Sequence, residues 1–178
     1  PPARGFEHFY GFLSGGIGYW DHNHGGGHDW QRNGKTVREE GYATHLLGDE
    51  AVKLIEQHQF QQPLFLYLAM AAPHMPNEAP QSSIDEYASI SNPNRRIHAA
   101  MVTELDTQIG RVIDALEKQQ MLDNTLILFA SDNGGLRGDS PESASAIRRL
   151  GKLGDFFFGR PVPMSVLEEF AKFAFDGG

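Results

Sequence analysis

Two unbroken apolar runs, with a long amphipathic segment between them, constrain the fold of this 178-residue chain more than any other feature. The first run covers residues 64–70 and the second covers residues 125–130; neither alternates polar with apolar side chains. A strand-length run without alternation is typical of a strand buried on both faces of a parallel sheet. Strand, helix and strand in this order therefore predict an α/β fold, with a parallel sheet covered by helices.

Two segments have the 3.6-residue period of amphipathic helices. The first is predicted over about residues 44–58, where Leu47 and Ala51 share one face and Thr44 is a suitable N-cap. The second is predicted over about residues 95–119 and keeps an apolar stripe along its length. Both are long enough to cover one face of the predicted sheet.

Composition excludes several classes of function. The formal net charge is −8, from 15 Lys+Arg against 23 Asp+Glu, whereas nucleic-acid binding demands a basic surface. The longest apolar run is residues 64–72, far shorter than the ~20 residues that a membrane-spanning helix needs. The sequence contains no cysteine, so it holds no disulfide, thiolate metal site or cysteine nucleophile. We therefore expect no nucleic-acid partner and no membrane span.

Reactive side chains follow both predicted strands. His74 comes shortly after the first strand, and Asp132 and Asn133 follow the second. Ligands of open α/β sheets bind beyond the carboxyl ends of the strands, so parallel strands would bring these residues to one edge. Asp132 and Asn133 offer hard oxygen ligands suited to Ca²⁺ or Mg²⁺. The alternatives are an Asx turn for this pair and, for His74, a loop histidine held between two prolines.

A second group of candidate ligands lies in the glycine- and aromatic-rich segment 1–41, which is predicted to be a long ordered loop whose aromatic side chains pack on a core. Here His22, His24 and His28 surround three consecutive glycines. Three histidines could bind Zn²⁺, but ordering flexible glycines costs conformational entropy. We therefore favour a solvated loop and keep a His-rich metal-binding module as the alternative.

Four segments, in order, resemble the type I sulfatases of the alkaline-phosphatase superfamily. They are Arg-Gly-Phe-Glu-His-Phe-Tyr-Gly at 4–11, the strand and Pro-His-x-Pro at 63–76, the helix at 100–116, and the stretch 124–135 that ends in Ser-Asp-Asn-Gly-Gly. The resemblance covers about residues 4–136. It implies part of an alkaline-phosphatase-like parallel or mixed sheet flanked by helices, incomplete in this chain. Residues 1–136 would form the core fragment, and 137–178 a helical segment that is either an insertion or foreign to the family.

The resemblance also implies a reaction. Asp132 and Asn133 fall on the family's metal-binding pair, which holds one Ca²⁺, and His74 falls on a histidine that contacts the sulfate of the substrate. Calcium takes about 6–8 oxygen ligands, so the pair alone is an incomplete site. The nucleophile of such enzymes is a formylglycine made from a Cys/Ser-x-Pro-x-Arg motif, which we expect N-terminal to Pro1.

The resemblance thus predicts a fragment of a sulfuric ester hydrolase, inactive by itself, whose substrate is a sulfated small molecule or carbohydrate. The alternatives are a phosphodiester or phosphonate hydrolase of the same superfamily and a non-catalytic remnant. Most members of the family are periplasmic, secreted or lysosomal, and the resemblance implies the same for this chain.

Overall fold

The computed structural model describes residues 2–59 and 62–131. The chain divides into two compact units, residues 1–129 and residues 130–178, and the architecture that follows is that of the first unit. The predicted metal pair Asp132 and Asn133 and the predicted helical segment 137–178 lie outside the described residues.

Three α-helices lie within the described residues: α1 at Ala43–Glu56, α2 at Gln81–Glu86 and α3 at Pro93–Lys118. The periodicity predicted α1 and α3 to within two residues at each end, whereas the short α2 lies in a segment rich in helix breakers and was not predicted. None of the helices within the described residues is both long and apolar enough to cross a membrane.

The two long helices begin in different ways. The Asn92 side chain caps α3 by accepting a hydrogen bond from the Arg95 backbone N–H at 3.0 Å, and Pro93 opens the helix. The N-cap of α1 is Tyr42, whose side chain makes no capping bond. The prediction of Thr44 as N-cap is therefore wrong, and Thr44 is buried in the first turn.

A glycine allows α1 and α3 to pack closely. A Cβ atom added at Gly48 would lie 2.4 Å from Gln108 Oε1 and 3.0 Å from Gln108 Cβ. Gln108 is itself buried, so the crossing has no room for a larger residue. Below this contact the two helices continue into a small apolar cluster formed by Ile55, Ala115 and Leu116.

Two small antiparallel sheets organise the first part of the chain. Strands β1 (Tyr10–Gly11), β4 (Gln31–Arg32) and β5 (Lys35–Thr36) form one sheet in the order β1-β4-β5. Strands β2 (Asn23–His24) and β3 (Gly27–His28) form a separate two-stranded hairpin. Short antiparallel pairs of this kind hold irregular segments in place without supplying a sheet core of their own.

Aromatic side chains from this segment pack into the main core, as the sequence predicted. Trp30 and Tyr19 are completely buried. The Tyr10 ring meets Trp30 edge-on at 5.2 Å, and the Tyr19 ring stacks on Tyr42 at 5.3 Å. The long ordered loop therefore packs through its rings against the N-terminus of α1.

The two apolar runs differ from their prediction as buried strands, because within the described residues neither pairs with another strand. In the run 64–70, Leu66 and Leu68 pack towards the core clusters, whereas Phe65 and Tyr67 are 80% and 72% exposed. This alternation is that of a strand covered on one face. The described helices cover that face, and no described element covers the other. The run 125–130 is likewise largely exposed.

We predict that Gly48→Ala destabilises the chain. The added methyl group overpacks the α1–α3 contact at a cost of about 1–3 kcal/mol, which outweighs the gain of ~1 kcal/mol in helix propensity. Gly110→Ala on α3 is the matched control, because a Cβ there meets nothing within 4 Å. Urea unfolding should rank the free energy of unfolding as Gly110→Ala above wild type above Gly48→Ala. Equal values for the two variants would contradict the close contact.

Candidate functional site

A shallow cleft of about 300 Å³ lies between the loop of residues 16–25 and the loop of residues 74–78. It includes His74, the predicted substrate histidine. Its other polar side chains come from both loops: Asp21, Asn23, His24 and Glu78. The cleft therefore combines imidazole, amide and carboxylate groups on an open surface.

Hydrogen bonds fix both the backbone and the ring of His74. Its N–H donates to the Ala71 carbonyl at 2.8 Å, and its carbonyl accepts from the Tyr19 hydroxyl at 2.9 Å. The ring nitrogen Nδ1 lies 2.7 Å from the Met75 carbonyl, which can only accept, so Nδ1 carries the hydrogen. The other nitrogen, Nε2, has no hydrogen-bond partner among the described residues and is the one available to a ligand.

A glycine lies directly beneath this imidazole. A Cβ atom at Gly16 would lie 3.1 Å from both Cε1 and Nδ1 of His74. Gly16 is buried, whereas the neighbouring Gly15 is exposed with nothing within 4 Å of an added Cβ. The ring of His74 thus packs directly on the backbone of Gly16. The ring can take this position only because Gly16 has no side chain.

Tyr19 and Tyr42 connect the two loops of the cleft to α1. The Tyr19 N–H donates to Glu78 Oε2 at 2.8 Å, and the Tyr42 hydroxyl donates to the Glu78 carbonyl at 2.9 Å. Burial raises the pKa of Tyr42 to about 12 and also raises the pKa of Tyr19. Both hydroxyls therefore stay protonated donors at any physiological pH.

His22, the first of the three clustered histidines, is part of the core. Its ring stacks on Trp30 at 4.6 Å between centroids, and its Nε2 donates to the Gly41 carbonyl at 3.0 Å. Burial lowers the pKa of His22. The prediction of a solvated loop is wrong for this residue, because a large neighbouring ring and a carbonyl acceptor make its burial favourable.

The other two histidines have different surroundings. The His28 Nε2 donates to the Val37 carbonyl at 2.7 Å, whereas His24 is exposed and lines the cleft. The described part of the chain holds no group of three histidine, aspartate or glutamate side chains arranged to bind a metal ion. The His-rich metal-binding alternative therefore finds no support in these residues.

Asp132 and Asn133 lie outside the described residues. The chemistry of the donor set fits calcium, because one carboxylate and one amide oxygen are hard ligands. The pair supplies only part of the coordination that this ion requires.

The letters of the Ser-x-Pro-x-Arg motif occur within the chain at residues 91–95, a match that the expectation of a motif N-terminal to Pro1 overlooked. The structure gives this stretch a role at the start of α3, where Asn92 is the N-cap and Pro93 the first helical residue. Ser91 is exposed and is not among the residues that line the cleft. Helix-start chemistry thus accounts for the pattern.

Comparison with known proteins identifies the chain. A sequence model of the Sulfatase family matches residues 1–154. Mouse arylsulfatase J is 36% identical over 143 residues, covering 76% of this chain and 24% of the relative. Human N-acetylgalactosamine-6-sulfatase is 27% identical over 161 residues, covering 82% of this chain and 29% of the relative. This chain therefore spans about a quarter of the length of these relatives.

A solved structure is similar in both fold and sequence. The crystal structure of Ps i-CgsB in complex with k-i-k-neocarrahexaose superposes with a TM-score of 0.63 at 32% identity, over 70% of this chain and 31% of that one. The predicted α/β class, incomplete in this chain, is confirmed by this likeness. The chain belongs to the sulfatase family.

We predict that Gly16→Ala displaces the His74 ring. At 3.1 Å the new methyl group would push the ring by a few tenths of an ångström, whereas Gly15→Ala meets nothing. The ¹H–¹³C NMR signal of His74 Cε1–H should therefore shift in Gly16→Ala and keep its wild-type position in Gly15→Ala. A signal that is unchanged in both variants would contradict the contact.

We also predict that acidification weakens the core through His22. Because burial lowers its pKa in the folded state, the unfolded chain takes up a proton first as pH falls below the usual value of 6.5. The titration of His22 therefore leaves the free energy of unfolding unchanged above pH 6.5 and lowers it below pH 6.5. His22→Phe keeps a ring on Trp30 but cannot titrate.

The free energy of unfolding, measured from pH 8 to pH 5.5, should therefore fall more in the wild type than in His22→Phe. His98, whose pKa is also lowered by burial, contributes equally to both proteins and cancels in the comparison. Parallel pH profiles for the two proteins would show that His22 is not the titrating group.

Proposed function

We propose that the chain contributes the sulfate-binding histidine of a sulfuric ester hydrolase that acts on sulfated carbohydrates. The observation that carries the proposal is the orientation of His74. Its Nδ1 is committed to the Met75 carbonyl at 2.7 Å, and the ring lines an open cleft with Nε2 available. A ligand that enters the cleft therefore meets one fixed nitrogen.

The hydrogen-bond chemistry favours an anionic ligand. Sulfate oxygens only accept hydrogen bonds, and the Nδ1 hydrogen is already donated to Met75. His74 must therefore carry a second hydrogen, on Nε2, when it binds sulfate. The bound ring would be an imidazolium, which makes a charge-assisted hydrogen bond and helps to offset the charge of the sulfate group.

Asp132 and Asn133 would hold a Ca²⁺ ion beside the same group. When bound, that ion supplies electrostatic stabilisation of the sulfuryl oxygens. The formylglycine nucleophile would come from a motif outside residues 1–178, and these residues alone would then be inactive. As in the family at large, the location would be periplasmic, secreted or lysosomal.

The carbohydrate part of the proposal is supported by the lining of the cleft. Carboxylate, amide and imidazole groups can each exchange hydrogen bonds with sugar hydroxyls. A relative is named N-acetylgalactosamine-6-sulfatase, and the structural neighbour was solved in complex with k-i-k-neocarrahexaose. Both names contain a sugar, which agrees with a polar cleft.

The test is hydrolysis of 4-nitrophenyl sulfate by the longest open reading frame that contains these residues. Losing one donor to the developing charge costs about 10²–10³ in rate, so His74→Ala, which removes the donor, should lower kcat/KM by that factor. Chelation of Ca²⁺ should also abolish turnover, and residues 1–178 alone should show none. Ser91→Ala is the matched control and should keep wild-type activity.

Other outcomes would separate the alternatives. Hydrolysis of bis(4-nitrophenyl) phosphate in place of the sulfate would identify a phosphodiester hydrolase. Loss of activity in Ser91→Ala alone would make Ser91 the source of the nucleophile. Unchanged kcat/KM in His74→Ala would remove this histidine from the site.

A further inference from the structure

The β2–β3 hairpin places His24 at the cleft, whereas hydrogen bonds to backbone carbonyls fix the rings of the other two histidines. His22 and His28 each donate a ring hydrogen to a backbone carbonyl, at 3.0 and 2.7 Å. His24 lies between them in the sequence, is exposed, and lines the cleft that contains His74. The hydrogen bonds of His22 and His28 thus hold the hairpin in place, and His24 faces the cleft.

The backbone that carries His24 is held from both sides. In the hairpin His24 pairs with Gly27, and the preceding residue, Asn23, accepts a hydrogen bond at its carbonyl from the Gly18 N–H at 2.9 Å. Asp21 accepts two further bonds from Asn23, both at 3.0 Å. A side chain on such a fixed backbone loses less entropy on binding than one on a free loop.

The charges around His24 decide what it can contact. Asp21 and Glu78 line the same cleft, and their carboxylates disfavour a second anionic group on the ligand. A neutral hydroxyl meets no such penalty, because it can donate to a carboxylate and accept from an imidazole N–H. The lining beyond His74 therefore fits the hydroxyls of a sugar better than a second sulfate.

The size of the cleft agrees with a single sugar ring. Its volume of about 300 Å³ lies at the lower end of the range for small-molecule sites. Met75 and Pro76 also line it, and both are exposed, so they offer apolar surface for the carbon face of such a ring. A cleft of this volume can hold one sulfated monosaccharide unit.

We infer that His24 is a specificity-determining residue, which binds a ring hydroxyl of the sulfated sugar while His74 binds its sulfate. The inference rests on the proposed function and extends it from the sulfate group to the sugar. It predicts that His24 favours sugar sulfates and contributes nothing to an aryl sulfate, which has no hydroxyl to offer.

The test compares galactose 6-sulfate with 4-nitrophenyl sulfate as substrates of the longest open reading frame that contains these residues. One neutral hydrogen bond is worth about 0.5–1.5 kcal/mol. His24→Ala should therefore raise KM for galactose 6-sulfate by about two- to thirteenfold and leave kcat/KM for 4-nitrophenyl sulfate unchanged. His24→Gln, which keeps a donor, should recover part of the loss.

His58→Ala is the matched control, since His58 lies beyond the C-terminus of α1 and outside the cleft lining. This variant should keep the wild-type KM and kcat/KM for both substrates. Equal losses on both substrates in His24→Ala, or no loss on either, would overturn the inference. Thermal unfolding of the two His24 variants should match the wild type, because His24 is exposed.

Calorimetric measurement of galactose 6-sulfate binding tests the role of His24 independently of whether the protein hydrolyses sulfate esters. If the wild type hydrolyses no sulfate ester, the proposed function fails, and binding of galactose 6-sulfate then decides the role of His24. Weaker binding to His24→Ala than to the wild type would support the contact. Equal binding, or no binding to either protein, would overturn it.

Discussion

Tyr19 is the residue on which the rest of the site depends. Its hydroxyl donates to the His74 carbonyl at 2.9 Å, its N–H donates to Glu78 at 2.8 Å, and its carbonyl accepts from the Ala43 N–H at 2.8 Å. Its ring is fully buried against Tyr42. A single side chain and its peptide groups thus join the two loops of the cleft to the start of α1. The cleft keeps its shape because this core residue cannot move without breaking all of these contacts.

Local patterns in the sequence predicted what local physics determines. The 3.6-residue period located α1 and α3, because an amphipathic helix must bury one stripe whatever it packs against. His74 was predicted as a site residue from its position after an apolar run, and it lies in the cleft. The contacts that orient it, with Gly16 and Tyr19, are 58 and 55 residues away in the sequence, and no local pattern reveals such pairs.

Other features depended on tertiary context. Three histidines beside glycines suggested a solvated loop, yet Trp30 and the Gly41 carbonyl make one of them, His22, a core residue. The apolar run 64–70 suggested a strand buried on both faces, and the described residues cover only one. Thr44 has the chemistry of an N-cap but lies inside the helix, because the N-cap is Tyr42, two residues earlier, whose ring stacks on Tyr19.

The central claim is that His74 presents Nε2 to an anionic sulfate group while Nδ1 stays on Met75. The most direct measurement is the ¹⁵N NMR spectrum of the histidine-labelled protein at pH 8, with and without galactose 6-sulfate, with His74 assigned through His74→Gln. We predict a hydrogen on Nδ1 in the free protein, because Nδ1 lies 2.7 Å from the Met75 carbonyl, and a change in the Nε2 signal when galactose 6-sulfate binds. Two results would contradict the account: a hydrogen on Nε2 instead of Nδ1 in the free protein, or His74 signals that do not change when galactose 6-sulfate is added.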